Sequence, residues 1–126
     1  MRIYLATKFT DAALMRDYAE TLTDLGHEIT SSWINLNGDE TAYPVETLAN
    51  QAAICLEDIA ACDTLVSVTP AVPGGLGGRH VEFGLGLAWG KSLIIVGEIE
   101  GIFHRLPQVR VFQTWEEFLD TLEDSP

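Results

Sequence analysis

The stretch Thr64-Leu65-Val66-Ser67-Val68 runs into Pro70-Ala71-Val72-Pro73-Gly74-Gly75-Leu76-Gly77-Gly78 and on to Arg79-His80-Val81-Glu82-Phe83-Gly84. A short β-branched and apolar run, a loop rich in Pro and Gly, and a resumption of apolar residues read as strand, turn and helix, the helix spanning about 79–90. Upstream, residues 45–62 form a helical pattern with Pro44 near its start. Before it, the loop around Asn37-Gly38-Asp39 follows a β-branched and aromatic run at 27–34, HEITSSWI, expected to be a strand.

The first strand is expected at 2–7, RIYLAT. Thr10 or Asp11 can cap the helix after it, whose apolar residues Ala13, Leu14, Tyr18, Leu22 and Leu25 recur at helical spacing until Gly26 stops it. Downstream, 92–97 and 109–112 read as the fourth and fifth strands, with Pro107 between them. Thr114-Trp115-Glu116-Glu117 then has the form of a capping box. Strands alternating with helices demand a parallel sheet wound by right-handed crossovers and covered on both faces. The expected fold is α/β, a flavodoxin-like three-layer sandwich with a five-stranded sheet in the order 2-1-3-4-5, formed as a single domain over 1–126.

In such a sheet, ligands lie beyond the carboxyl ends of the strands, at the switch point between strands one and three. This position selects Thr7, Lys8 and Phe9 after strand one, and Gly77, Gly78, Arg79, His80 and Glu82 around the glycine loop. A glycine-rich loop leading into a helix can cradle an anion, or it can simply permit a tight turn and close packing. Arg79-His80 stands where a phosphate-binding P-loop needs Lys-Ser/Thr, and no G-x-G-x-x-G follows the first strand, so neither an ATPase nor a dehydrogenase is expected. Glu82 is placed in the first helical turn, where the helix dipole favours an ionised carboxylate. Such a group can attack an anomeric carbon, as in retaining glycosidases, or merely complement the dipole at the surface.

Other side chains carry two readings each. Asp58 is a site acid or an exposed helix residue, Asp63 a further acidic candidate or a turn-forming residue ahead of strand three, and Trp33 and Trp89 base-stacking or core residues. Cys55 and Cys62 fall on one helix about 10 Å apart at about 1.5 Å per residue, too far for a disulfide. Two free thiols suit a reducing compartment, and with no signal-like apolar segment at the start, the cytoplasm is expected. His27, His80 and His104 are scattered without ligand spacing, so no metal or other cofactor is expected.

The 126 residues carry 19 acidic and 7 basic side chains, a formal net charge of −12. With 47% of residues apolar, the chain has material for a core and is not an acidic disordered segment. Excess negative charge repels nucleic-acid polymers, whose affinity rests on phosphate neutralisation by Lys and Arg. No apolar run reaches the roughly 18–20 residues of a membrane span, so no membrane partner is expected.

The run from Gly77 to Gly84, GGRHVEFG, with Ala88 and Gly90-Lys91 after it, resembles the nucleoside 2-deoxyribosyltransferase family and its relatives that hydrolyse 2′-deoxynucleoside 5′-monophosphates. The opening Ile3-Tyr4-Leu5-Ala6, the HEITSSWI stretch, Val96-Gly97, Phe103-His104, Leu106-Pro107 and Trp115-Glu116-Glu117 look similar to the short bacterial and phage-type members. The resemblance covers nearly the whole chain. It implies that Glu82 is the covalent nucleophile at C1′ of a 2′-deoxyribonucleoside, that Tyr4 orients it, and that Lys8 and Arg79 meet the 5′ end of the sugar. The acceptor would be a second base or water. The family usually has an Asp eight residues before the Asp that opens strand three; counting back from Asp63 gives Cys55. Asp58, one helical turn on, is the carboxylate available for that role, and Cys55 becomes a substrate contact.

The resemblance therefore implies an enzyme that transfers or hydrolyses the N-glycosidic bond of a small-molecule deoxynucleoside or deoxynucleotide. It also implies a homodimer or larger homo-oligomer, with residues 98–107 and the aromatic Phe103 as the natural segment for association. Cys55 supports a second reading, a nucleotide-binding or sequestering protein with weak or no catalysis. Fold alone leaves room for an unrelated regulatory or interaction domain.

Overall fold

The computed structural model describes residues 1–123, so the last three positions of the expected domain lie outside the described residues. The strands are β1 (Arg2–Ala6), β2 (Glu28–Ile29), β3 (Thr64–Val68), β4 (Ser92–Val96) and β5 (Val109–Phe112). Between and after them run α1 (Ala12–Asp24), α2 (Val45–Ala61), α3 (Gly78–Ala88) and α4 (Trp115–Glu123). All strand pairs are parallel, and the sheet order is 2-1-3-4-5, as the alternation of elements requires.

Central strands covered on both faces call for near-continuous apolar runs, and β3 is buried along its whole length, Thr64 and Ser67 included. Ile3, Leu5, Leu65, Val66 and Ile95 are fully buried in the sheet, with Met15 and Leu22 of α1, Ile59 of α2 and Phe118 of α4 packed over them. Gly86 lets α3 lie close to the sheet: a Cβ there would stand 3.1 Å from methyl groups of both Leu65 and Leu93. Asp63 accepts the Arg2 N–H at 3.0 Å and the Thr64 hydroxyl at 2.8 Å, joining the starts of β1 and β3.

The second strand is much shorter than the eight residues its composition predicts. Only Glu28 and Ile29 pair with β1, and Ser32–Asn35 form a 3-10 turn. Side chains intercept the ladder. Ser31 Oγ accepts the Leu5 N–H, Asp58 Oδ2 accepts both the N–H and the hydroxyl of Ser32, and Trp33 turns inward to donate to the Leu5 carbonyl. At α1 the expected side-chain cap is not made. Asp11 is the N-cap without a side-chain bond, because a 3-10 turn at Phe9–Asp11 leads directly into the helix. The α4 box forms in shifted register: Thr114 Oγ1 accepts the Glu117 N–H, while Glu117 reaches back to the Gln113 N–H.

Gly97, just past β4, has φ +114°, and a Cβ would lie 2.9 Å from Thr69 Cβ. The close approach joins the loops after β3 and β4: Thr69 N–H donates to Val96 O, and its hydroxyl donates to Glu98 O. Gly97→Ala is therefore expected to destabilise the fold by about 2–4 kcal/mol through combined backbone strain and overpacking, read as a lower urea midpoint at unchanged slope.

Candidate active site

The loops after β1 and β3 meet at the switch point, where the Thr7 hydroxyl donates to Val68 O at 2.7 Å. Over them folds the glycine loop. Gly75 has φ +93°, and a Cβ there would meet Lys8 Cβ at 2.9 Å and Arg79 Nη1 at 3.0 Å, so the loop closes only on a bare backbone. Gly77, at φ +94°, is the N-cap of α3.

Beneath this loop lies a cavity of about 370 Å³. Small-molecule sites run to about 300–1,000 Å³. One wall is the inner face of α2, where Gln51, Cys55 and Ile59 stand one helical turn apart beside Leu48, Ala52 and Leu56. That face explains why Ile59 is the fully buried residue of so apolar a helix: its neighbours look into the cavity rather than onto the sheet. Opposite are Val81, Glu82 and Leu85 of α3, with Phe9 and Trp33 near the end of β1. Phe9 packs between Trp33 and Tyr43, with both ring-centroid distances 6.0 Å.

Glu82 is the chemical centre of the cavity. Its Oε2 accepts a hydrogen bond from the hydroxyl of Tyr4, a fully buried side chain of β1. The expectation of a carboxylate ionised by the first turn of a helix is corrected in two ways. Since α3 begins at Gly78, Glu82 stands a full turn inside, where the end field has largely fallen off. Burial then pushes its pKa up to about 8, so the free protein holds it mostly as the acid at neutral pH.

Of the residues expected at the site, Thr7, Lys8, Phe9, Cys55, Gly77, Gly78, Arg79 and Glu82 line the cavity together, and Tyr4 reaches it through Glu82. Asp58 and His80 are not brought there. Asp58 is bound to Ser32 outside the cavity lining, and His80 is exposed on the outer side of α3, its ring 6.3 Å from that of His104. Trp33 is both core and cavity wall; Trp89 is 45% exposed and lies away from the cavity. Lys91 donates to Ala60 O beside the amino end of β4, at the far end of the strands from the cavity. Phe103 is 60% exposed beside exposed Ile102.

Gln51 and Glu40 also line the cavity and were missed. Gln51 had a usable signal in its four-residue spacing from Cys55; Glu40 lies in a 3-10 turn whose position no local pattern reveals. Burial pushes the Cys55 thiol up, so it faces the cavity as a neutral, weak hydrogen-bonding group, with Gln51 Nε2 at 3.6 Å. Among the described residues, no three His, Cys, Asp or Glu side chains gather as a metal site requires.

Arg79 departs most from expectation. Its Nε and Nη2 donate to both carboxylate oxygens of Glu100 at 3.0 and 2.7 Å, and Nη1 donates to Gly74 O at 2.9 Å. The side chain thus braces the glycine loop against the segment after β4. Arg79→Ala should cost about 2–3 kcal/mol, because Glu100 and the Gly74 carbonyl lose charge-assisted bonds. Arg79→Lys, lacking the planar fork, should recover only part of that stability in chemical denaturation.

No protein-family model matches this chain, and no curated protein matches it. Among solved structures it is similar to that of the Clostridium botulinum CMP N-glycosidase, BcmB, with 21% sequence identity and a TM-score of 0.64. The likeness covers 98% of this chain and 99% of that one. In line with the resemblance read from the sequence, the chain shares from end to end the fold on which that N-glycosidase is built.

Proposed function

We propose that this protein cleaves the N-glycosidic bond of nucleosides or their 5′-monophosphates, 2′-deoxy forms foremost, with Glu82 as the nucleophile. One observation carries the reading: a half-buried carboxyl, held by the Tyr4 hydroxyl, faces a largely apolar cavity at the switch point of the sheet. The shared fold with a protein named as a CMP N-glycosidase supports it.

In the proposed reaction the ionised Glu82 carboxylate attacks C1′ as the C1′–N bond breaks. The bonding pair leaves with the base, which takes up a proton from solvent. A glycosyl ester forms on Glu82. Water, or a second base in a transfer, then attacks C1′ and gives up a proton to solvent; the C1′–Oε bond breaks and the carboxylate is restored. In the largely apolar cavity the carboxylate faces the developing oxocarbenium cation with its charge less screened than in bulk water. A substrate lacking the 2′ hydroxyl reaches that cation more easily.

The reading is tested by incubating the protein with a panel of nucleosides and 5′-monophosphates, with and without a second free base, followed by chromatography. Released base marks hydrolysis, and an exchanged base marks transfer. If no member is consumed, the enzymatic reading is lost. A second reading, binding without turnover, is favoured by Cys55 in the cavity wall where a carboxylate would assist the leaving base. Under it, ligands raise the melting temperature without being consumed, and Cys55→Asp introduces turnover.

A further inference from the structure

Lys8 and Arg79 are, among the described residues, the basic side chains that line the cavity, and both already make polar contacts. Arg79 is 7% exposed and held on three nitrogens, two of them by the Glu100 carboxylate. The Lys8 ammonium donates to Val72 O at 2.8 Å and lies 4.0 Å from Asp11. Glu40 adds a carboxylate to the same lining, and it makes no salt bridge among the described residues.

We propose that this cavity selects a nucleoside with a free 5′ hydroxyl over the corresponding 5′-monophosphate. The inference rests on the glycosidic reading above and names the substrate class within it. A phosphate dianion entering the cavity would have to displace Glu100 from a nearly buried guanidinium, or draw the single Lys8 ammonium away from Val72 O and Asp11, against apolar walls and the Glu40 carboxylate. The net charge of −12 opposes its approach from solution as well. Backbone N–H groups at the start of α3 suit a hydroxyl oxygen, but their partial charge does not balance a dianion. An uncharged sugar meets none of these obstacles.

The experiment compares kcat/KM for a 2′-deoxynucleoside and its 5′-monophosphate carrying the same base, across ionic strength. The nucleoside is expected to lead by at least about tenfold at low salt, with the gap narrowing as salt screens the repulsion. Glu100→Gln, which releases the Arg79 guanidinium from its carboxylate, and, independently, Glu40→Gln, which removes a carboxylate of the lining, should each shift the ratio toward the monophosphate by about fivefold or more. A ratio near one, or a monophosphate that is the better substrate of the wild type, overturns the proposal while leaving the glycosidic reading intact. If the wild type cleaves neither compound, the glycosidic reading fails, and the selection is read instead from calorimetric binding to Glu82→Gln. Tighter nucleoside binding then sustains the proposal; equal, reversed or absent binding overturns it.

Discussion

Glu82→Gln is expected to lower kcat/KM for glycosidic cleavage by at least about 10⁴-fold, leaving a folded protein that still binds substrate. Gln has nearly the same shape, and its carbonyl oxygen can accept the Tyr4 hydroxyl that Glu82 accepts. Packing and the hydrogen bond at the cavity wall are therefore kept, while an amide oxygen cannot form the glycosyl ester. A slow fluorinated sugar analogue should add one glycosyl mass to the wild type and none to the variant, with the modified peptide containing Glu82. Cleavage by the variant within tenfold of the wild type would remove Glu82 from the chemistry. Equal loss through misfolding is separated by the thermal transition, because the variant should melt no lower than the wild type at pH 8.

The pH dependence is the second large effect. Burial raises the Glu82 pKa from 4.5 to about 8, and the proposed reaction uses the ionised form as nucleophile. Since kcat/KM reports the free enzyme, it should climb tenfold per pH unit well below pH 8 and then level off, about 10³-fold between pH 5 and the plateau above pH 8. A profile that instead falls above pH 8 would assign the reactive role to the protonated acid. The same shift sets the sign of a stability effect. Below pH 4.5 both folded and unfolded chains hold the proton. Between 4.5 and about 8 the unfolded chain releases it while the folded chain keeps it, so stability contributed by this group is lost as pH rises through that window. Glu82→Gln removes the titration, so its melting temperature should rise relative to the wild type from pH 5 to pH 8; a constant difference would show that Glu82 is not held as a buried acid.

The layered fold was legible because its signals are local. β3 and β4 are short apolar runs, Gly26 ends the first helix, and Thr114 with Glu117 opens the last; each is read from neighbouring residues, and alternation does the rest. The second strand was misread because its end depends on partners far along the chain: Ser31 bonds to Leu5, and Ser32 to Asp58, 26 residues away in each case. The same long-range contact removes Asp58 from the site, although its helical position suggested otherwise.

By itself, the sequence determined the strand order, the place where a ligand can sit and the carboxyl that faces it, because hydrophobic period, turn residues and crossover handedness act over short distances. Only the tertiary structure decided the state of the groups gathered there. Burial rather than the helix dipole governs the proton on Glu82, and Glu100, distant in sequence, takes the guanidinium of Arg79. A charge is set by everything packed around it, and that company is assembled only when the chain folds.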